Sequence, residues 1–177
     1  MVRGFTLLEL LITVSIVTII LAFAAPSYRQ VNEQIKMTAL ANELHGFFIQ
    51  AKSEAVFRNQ DVWLHVEGMP SNTGEWRLLL FSHDSEPTRD NSAPSSNPET
   101  IISILSGDRY HQFSVSYHSS INPVTFEPVM GNPTSAGRFR IQGKGADNQG
   151  LDVIFHNRAG RVRICSVEGE LYGFSAC

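Results

Sequence analysis

The chain has 177 residues, 42% of them hydrophobic, and a formal net charge of −3. That length holds one membrane helix plus one globular domain of about 120–150 residues, enough to bury a core without a metal. The acidic balance excludes a generally basic nucleic-acid binder, so any anion site must be local.

Residues 1–4 form a short basic leader, and from Phe5 to Ala25 only Thr6, Glu9, Thr13, Ser15 and Thr18 are polar. As a helix rising 1.5 Å per residue, this run is about 31 Å long, the thickness of a bilayer's hydrocarbon core. A secretory signal peptide would carry a longer leader and end its apolar region in a small-residue cleavage site. A plain signal anchor and a buried core helix remain as readings. Glu9 bears on that choice, because a carboxylate deep in an apolar run costs about 2.5–3.5 kcal/mol and needs a partner. Cleavage after Gly4 would create an α-amino group on Phe5, and Glu9 could pair with that group on a neighbouring subunit.

Gly4-Phe5-Thr6-Leu7-Leu8-Glu9-Leu10, with Pro26 downstream, resembles the class III signal of type IV pilins and type II secretion pseudopilins. The resemblance implies cutting by prepilin peptidase after Gly4, methylation of Phe5, and an apolar helix over residues 5–26 that sits in the inner membrane and then in the filament core. It also implies a head domain in the periplasm and later on an extracellular pilus. In that compartment disulfides persist, so Cys165 and Cys177 are expected to pair rather than to remain free thiols.

After Pro26 the apolar pattern becomes periodic. Val31, Ile35, Leu40, Leu44, Phe47, Phe48, Ala51 and Ala55 recur at three- and four-residue spacing, which predicts an amphipathic helix over 27–58 continuing the first. The joined helix would be about 75–80 Å long. Beyond Asn59-Gln60-Asp61 the signals are β. Strands are expected at 62–66, 76–81, 101–105, 113–117, 124–127 and 138–141, and then as a last hairpin of 151–155 and 161–167 turning at Asn157-Arg158-Ala159-Gly160. Residues 82–99 read as a long exposed loop. One helix followed only by strands suggests an α+β domain over 59–177, its helix laid on antiparallel sheets.

This order resembles the FimT/GspH branch of the pilin superfamily. The matching stretches are Ala51-Lys52-Ser53-Glu54-Ala55, Val124-Thr125-Phe126 followed by Gly137, and Gly160-Arg161-Val162-Arg163-Ile164-Cys165.

Catalysis has little support. The six histidines include no pair at helical metal spacing and none near a cysteine. Gly143-Lys144-Gly145 lacks the frame of a phosphate loop, and Asp84, Glu86 and Asp90 lack the Gly-and-Glu frame of a calcium loop. No enzyme activity, metal or cofactor is expected.

The charge anomaly lies near the C-terminus. Between Gly137 and Cys165 stand Arg138, Arg140, Lys144, Arg158, Arg161 and Arg163 against Asp147 and Asp152, a local +6 − 2 = +4. Alternation along a strand puts Arg161 and Arg163 on one face, and Arg138 and Arg140 on one face of theirs. Guanidinium forks suit phosphate oxygens. Arginines on a strand's outer face are also ordinary, and there they deter edge aggregation. Gly160, Arg161 and Arg163 resemble the DNA-binding motif of FimT-type minor pilins, which implies contact with double-stranded DNA during uptake in natural transformation. Arg158, Lys144, Arg138 and Arg140 extend that patch on electrostatic grounds. The alternatives are a structural minor pilin that primes assembly with other pilins, and a type II secretion pseudopilin of the H type.

Overall fold

The computed structural model describes residues 5–82, 101–144 and 149–177, without the side chains of 23–27, 29 and 30. Gly4, most of the expected 82–99 loop, Gly145, Asp147 and the side chain of Pro26 lie outside what is described. The chain forms two units, Met1–Lys36 and Met37–Cys177.

In the first unit, helix α1 begins at Leu7 and continues to Arg58 of the second. Thr6 caps it: the Glu9 N–H donates to Thr6 Oγ1 at 3.2 Å. Thr6 and Glu9 thus stand as N-cap and third helical residue, the spacing of a capping box. A carboxylate in the first turn is also favoured by the helix dipole, by about 0.3–1 kcal/mol at an exposed position. Glu9 therefore has a local role in starting the helix besides any role between subunits. Apolar side chains from Leu7 to Leu21 are exposed. Among the described residues no helix is long and apolar enough to cross a membrane. The described side chains of the apolar stretch stop at Ala22, short of the about 20 consecutive helical residues a bilayer core requires, so the rest of the expected 5–26 span lies outside them.

In the second unit, one face of α1 is buried: Met37, Leu40, Ala41, Leu44, Phe47, Phe48, Ala51 and Ala55 belong to the main core. Strands follow at Val62–Glu67 (β1), Arg77–Ser82 (β2), Ile101–Ser106 (β3), Phe113–Ser119 (β4), Val124–Phe126 (β5), Gly137–Gly143 (β6), Gly150–Phe155 (β7) and Val162–Ser166 (β8). They make two four-stranded sheets, ordered β3-β2-β1-β5 and β4-β6-β7-β8. Every pairing among these strands is antiparallel. The fold of this unit is α+β, one helix followed by antiparallel sheets, as expected.

Phe48 joins the helix to both sheets. Its ring lies 5.8 Å from that of Phe126, 5.7 Å from Phe139 and 4.6 Å from Phe155. Truncating such a buried ring costs about 3–5 kcal/mol. Strict alternation in the second sheet sends Phe139, Ile141, Leu151, Val153 and Phe155 into this core. Their strand neighbours are left on the opposite face, and that face carries the charge anomaly.

Candidate nucleic-acid interface

Register fixes the outer face of the second sheet in rows across the strands. One row reads His118, Arg138, Ile154 and Arg163, each paired with the next. The row beside it reads Ser116, Arg140, Asp152 and Cys165. On the other side, past the strand ends, the His156 N–H donates to the Arg161 carbonyl at 3.0 Å. Arg138 and Arg140 on β6 and Arg163 on β8 therefore share one face of one sheet with β7 between, and Arg161, one residue before β8, continues that face.

They are not equivalent. Arg140 makes a two-point pair with Asp152, Nε to Oδ1 and Nη2 to Oδ2, both at 2.9 Å. The hydrogen bond to that carboxylate, outweighing burial, holds the Arg140 guanidinium above its ordinary pKa. Arg138 Nη1 stands 3.7 Å from the same Oδ2. Asp152 is only 2% exposed, although its position faces outward, because the arginines cover it. Buried charge requires such partners. Arg140 is thus committed to Asp152, a correction to its expected place among the anion contacts; Arg138, with its side chain 43% exposed, keeps part of its guanidinium in solvent.

Arg161 is exposed just before β8, and Arg158 is exposed in the turn that precedes it. Arg163 is half-buried and donates from Nη2 to the main-chain carbonyl of Cys177 at 2.9 Å. The Cys165–Cys177 disulfide, with a Cα–Cα distance of 5.0 Å, brings that carbonyl within reach. Two main-chain bonds, Ser166 N–H to Ser175 and Cys177 N–H to Ser166, hold the same tail. The bridge therefore orients Arg163, as well as closing the chain.

Lys144 stands apart. It follows Gly143, the end of β6 that pairs with Phe113, whereas the 157–160 turn lies beyond the Gly137–Phe155 pair. Six strand steps of about 3.4 Å put roughly 20 Å between those ends. Lys144 does not join the arginines.

Gly160 is held more tightly than a turn requires. Its φ is +54°, and a Cβ there would overlap Asn132 Oδ1 and lie 2.9 Å from Lys52 Nζ. Lys52 Nζ donates to the Gly160 carbonyl at 2.6 Å, tying the hairpin to α1. Asn132 and Lys52 were not picked out as site residues from the sequence, although Lys52 sits in the Ala51–Ala55 stretch that carried part of the resemblance. Asp152 also had a signal, as an acidic residue whose strand parity puts it beside Ile154 on the polar face. Among the described residues no cluster of three or more His, Cys, Asp or Glu could hold a metal ion.

The family described as Type II transport protein GspH matches residues 40–168, and the prokaryotic N-terminal methylation motif matches residues 1–25. The chain belongs to the GspH family. This GspH-family protein also resembles crystal structures of the type IV minor pilin FimU of Pseudomonas aeruginosa PAO1. One form aligns with a TM-score of 0.56 at 18% identity, over 81% of this chain and 94% of FimU. A second aligns with a TM-score of 0.53 at 17% identity, over 78% and 96%. At such identity the likeness is one of fold. No curated protein matches the sequence. Family, methylation motif and fold together make the chain a type IV minor pilin or pseudopilin, a subunit that associates with other pilins in a filament.

Proposed function

We propose that this minor pilin holds double-stranded DNA weakly and without sequence preference, through phosphate contacts of Arg158, Arg161 and Arg163, in DNA uptake. The observation that carries this reading is the gathering of arginines on one solvent-facing sheet surface of an otherwise acidic chain. Asp152 neutralises only part of that charge, and the disulfide-held tail orients Arg163. Phosphate contacts position DNA without reading bases. Weak single-site binding suits a filament, where neighbouring subunits supply avidity.

In this reading the protein is not an enzyme. Prepilin peptidase removes residues 1–4, Phe5 becomes the methylated terminus, and Glu9 sets register against the terminus of a neighbour. The helix anchors the chain in the inner membrane with its head in the periplasm, then enters an extracellular pilus. The direct test is titration of a fluorescently labelled duplex with the full-length chain in detergent, beside an Arg161→Ala/Arg163→Ala variant. Binding that falls with the substitutions supports the proposal; binding that ignores them removes it.

A structural reading has its own observation. Val56, Phe57, Val129 and Met130 are exposed apolar side chains. They stand on the last turn of α1 and the loop after β5, the segments whose Lys52 and Asn132 meet Gly160. An assembly-priming minor pilin or an H-type secretion pseudopilin would use that surface, and its arginines, against other subunits. Normal duplex binding with loss of filament formation in Phe57→Ser would show that the two roles are separate.

A further inference from the structure

Beside the arginines, on the same sheet face, lies a cleft of about 350 Å³ lined by His118, Ala136, Gly137, Arg138, Ile154, Phe155 and His156. Its composition differs from that of a phosphate cradle. Ile154 and Ala136 supply apolar surface over the main chain of the Gly137–Phe155 pair, while His118, Arg138 and His156 stand around them. Strand parity places all three polar side chains on the outer face, His118 opposite Arg138 and Arg138 opposite Ile154. Both histidines are exposed, so their rings are free to meet a ligand.

An apolar floor with imidazole and guanidinium walls suits a planar heterocycle, since every nucleobase offers a π face, and histidine and arginine planes both stack on one. The volume is at the small end for ligand clefts. Ile154 is the direct register partner of Arg163, and His156 is hydrogen-bonded to Arg161 through the main chain. A base in the cleft therefore lies one strand, about 4.8 Å, from the strand whose arginines take the phosphates.

We infer that this cleft binds one unpaired nucleobase, so that the minor pilin favours single-stranded segments or frayed ends over intact duplex. The inference rests on the DNA-binding reading above and specifies it. In duplex the bases are stacked inside and cannot enter. In a single strand the arginines hold the backbone while a base rotates onto Ile154 between His118 and His156.

The test uses the full-length chain in detergent and three labelled probes of equal length: a single strand of mixed sequence, an abasic single strand with the same phosphates, and a duplex. One stacked base is worth about fivefold or more in affinity, so the single strand is expected to bind at least about fivefold tighter than the abasic strand. A His118→Ala/His156→Ala variant changes two exposed side chains. It is expected to lose that difference while keeping its affinity for the abasic strand and the duplex. Equal binding of abasic and ordinary strands by the unmodified chain overturns the inference and leaves the phosphate reading standing. So does a difference that persists in the histidine variant. Failure to bind any of the three probes overturns both.

Discussion

Replacing Arg140 with alanine separates the arginine that holds the sheet from those proposed to contact DNA. The substitution removes both 2.9 Å bonds to Asp152 and leaves a carboxylate that is 2% exposed. Breaking a buried pair by removing one partner costs about 3–5 kcal/mol. Here Arg140 itself is 25% exposed, and Arg138 already stands 3.7 Å away, able to close on the abandoned carboxylate. Both facts pull the expected loss down, to about 2–3 kcal/mol. For a chain of this size that is a fall in Tm of roughly 4–12 °C. The assay is thermal unfolding of the full-length chain in detergent, followed by duplex titration at two salt concentrations. Arg140→Ala should unfold earlier yet keep the salt slope of binding within about half a unit, because Arg140 neutralises no phosphate. An unchanged Tm, or a slope that falls by about 0.9 as for one lost phosphate contact, would refute the assignment of Arg140 to Asp152.

Three further outcomes follow from the same geometry. Cys177→Ser opens a loop of sequence separation 12, which should cost about 3 kcal/mol and weaken duplex binding by loosening the carbonyl that holds Arg163; an unchanged Tm would contradict the first part, and unchanged binding the second. Gly160→Ala forces a side chain into left-handed backbone at about 1–2 kcal/mol and displaces Asn132, so Tm should drop by roughly 2–8 °C; a Tm within a degree of the parent would deny that the contact matters. Burial, and the hydrogen bond that its O–H donates to the Glu43 carboxylate, push the Tyr110 hydroxyl up to about 12. Because the folded state keeps that proton longer than the unfolded chain, stability should decline between about pH 10 and pH 12, by at most about 1.4 kcal/mol per unit, and Tyr110→Phe should flatten that decline; an equally steep fall in the variant would assign it to another group.

Much of the fold was legible because its signals are local. The three- and four-residue spacing from Leu40 to Ala55 marks the buried face of α1 as found. The Asn157–Gly160 turn signal lies between β7 and β8, and two cysteines, read with the expected periplasmic head, predicted the bridge at 165 and 177. Alternation placed Arg161 with Arg163 and Arg138 with Arg140. The sequence could not give the register that brings those pairs to one face, since that depends on β7 lying between their strands. For the same reason Lys144, close to the arginines by number, sits at the far end of β6. Asp152 and Lys52 take their partners 12 and 108 residues away, so no local pattern announces either contact. The Thr6–Glu9 cap was readable locally, but the apolar run around it drew attention to Glu9 as a charge between subunits.

The central claim is that the arginines around the β7–β8 hairpin, none of them paired with Asp152, neutralise DNA phosphates, and the salt dependence of duplex binding tests it most directly. With about three phosphates neutralised, the log–log slope for the full-length chain should be near −2.7, a roughly 40-fold loss of affinity between 50 and 200 mM salt. Arg161→Ala/Arg163→Ala should retain a slope of about −0.9, a loss of only about three- to fourfold. A steep slope that survives the double substitution, or binding indifferent to salt in both proteins, would place DNA elsewhere or nowhere on this GspH-family protein.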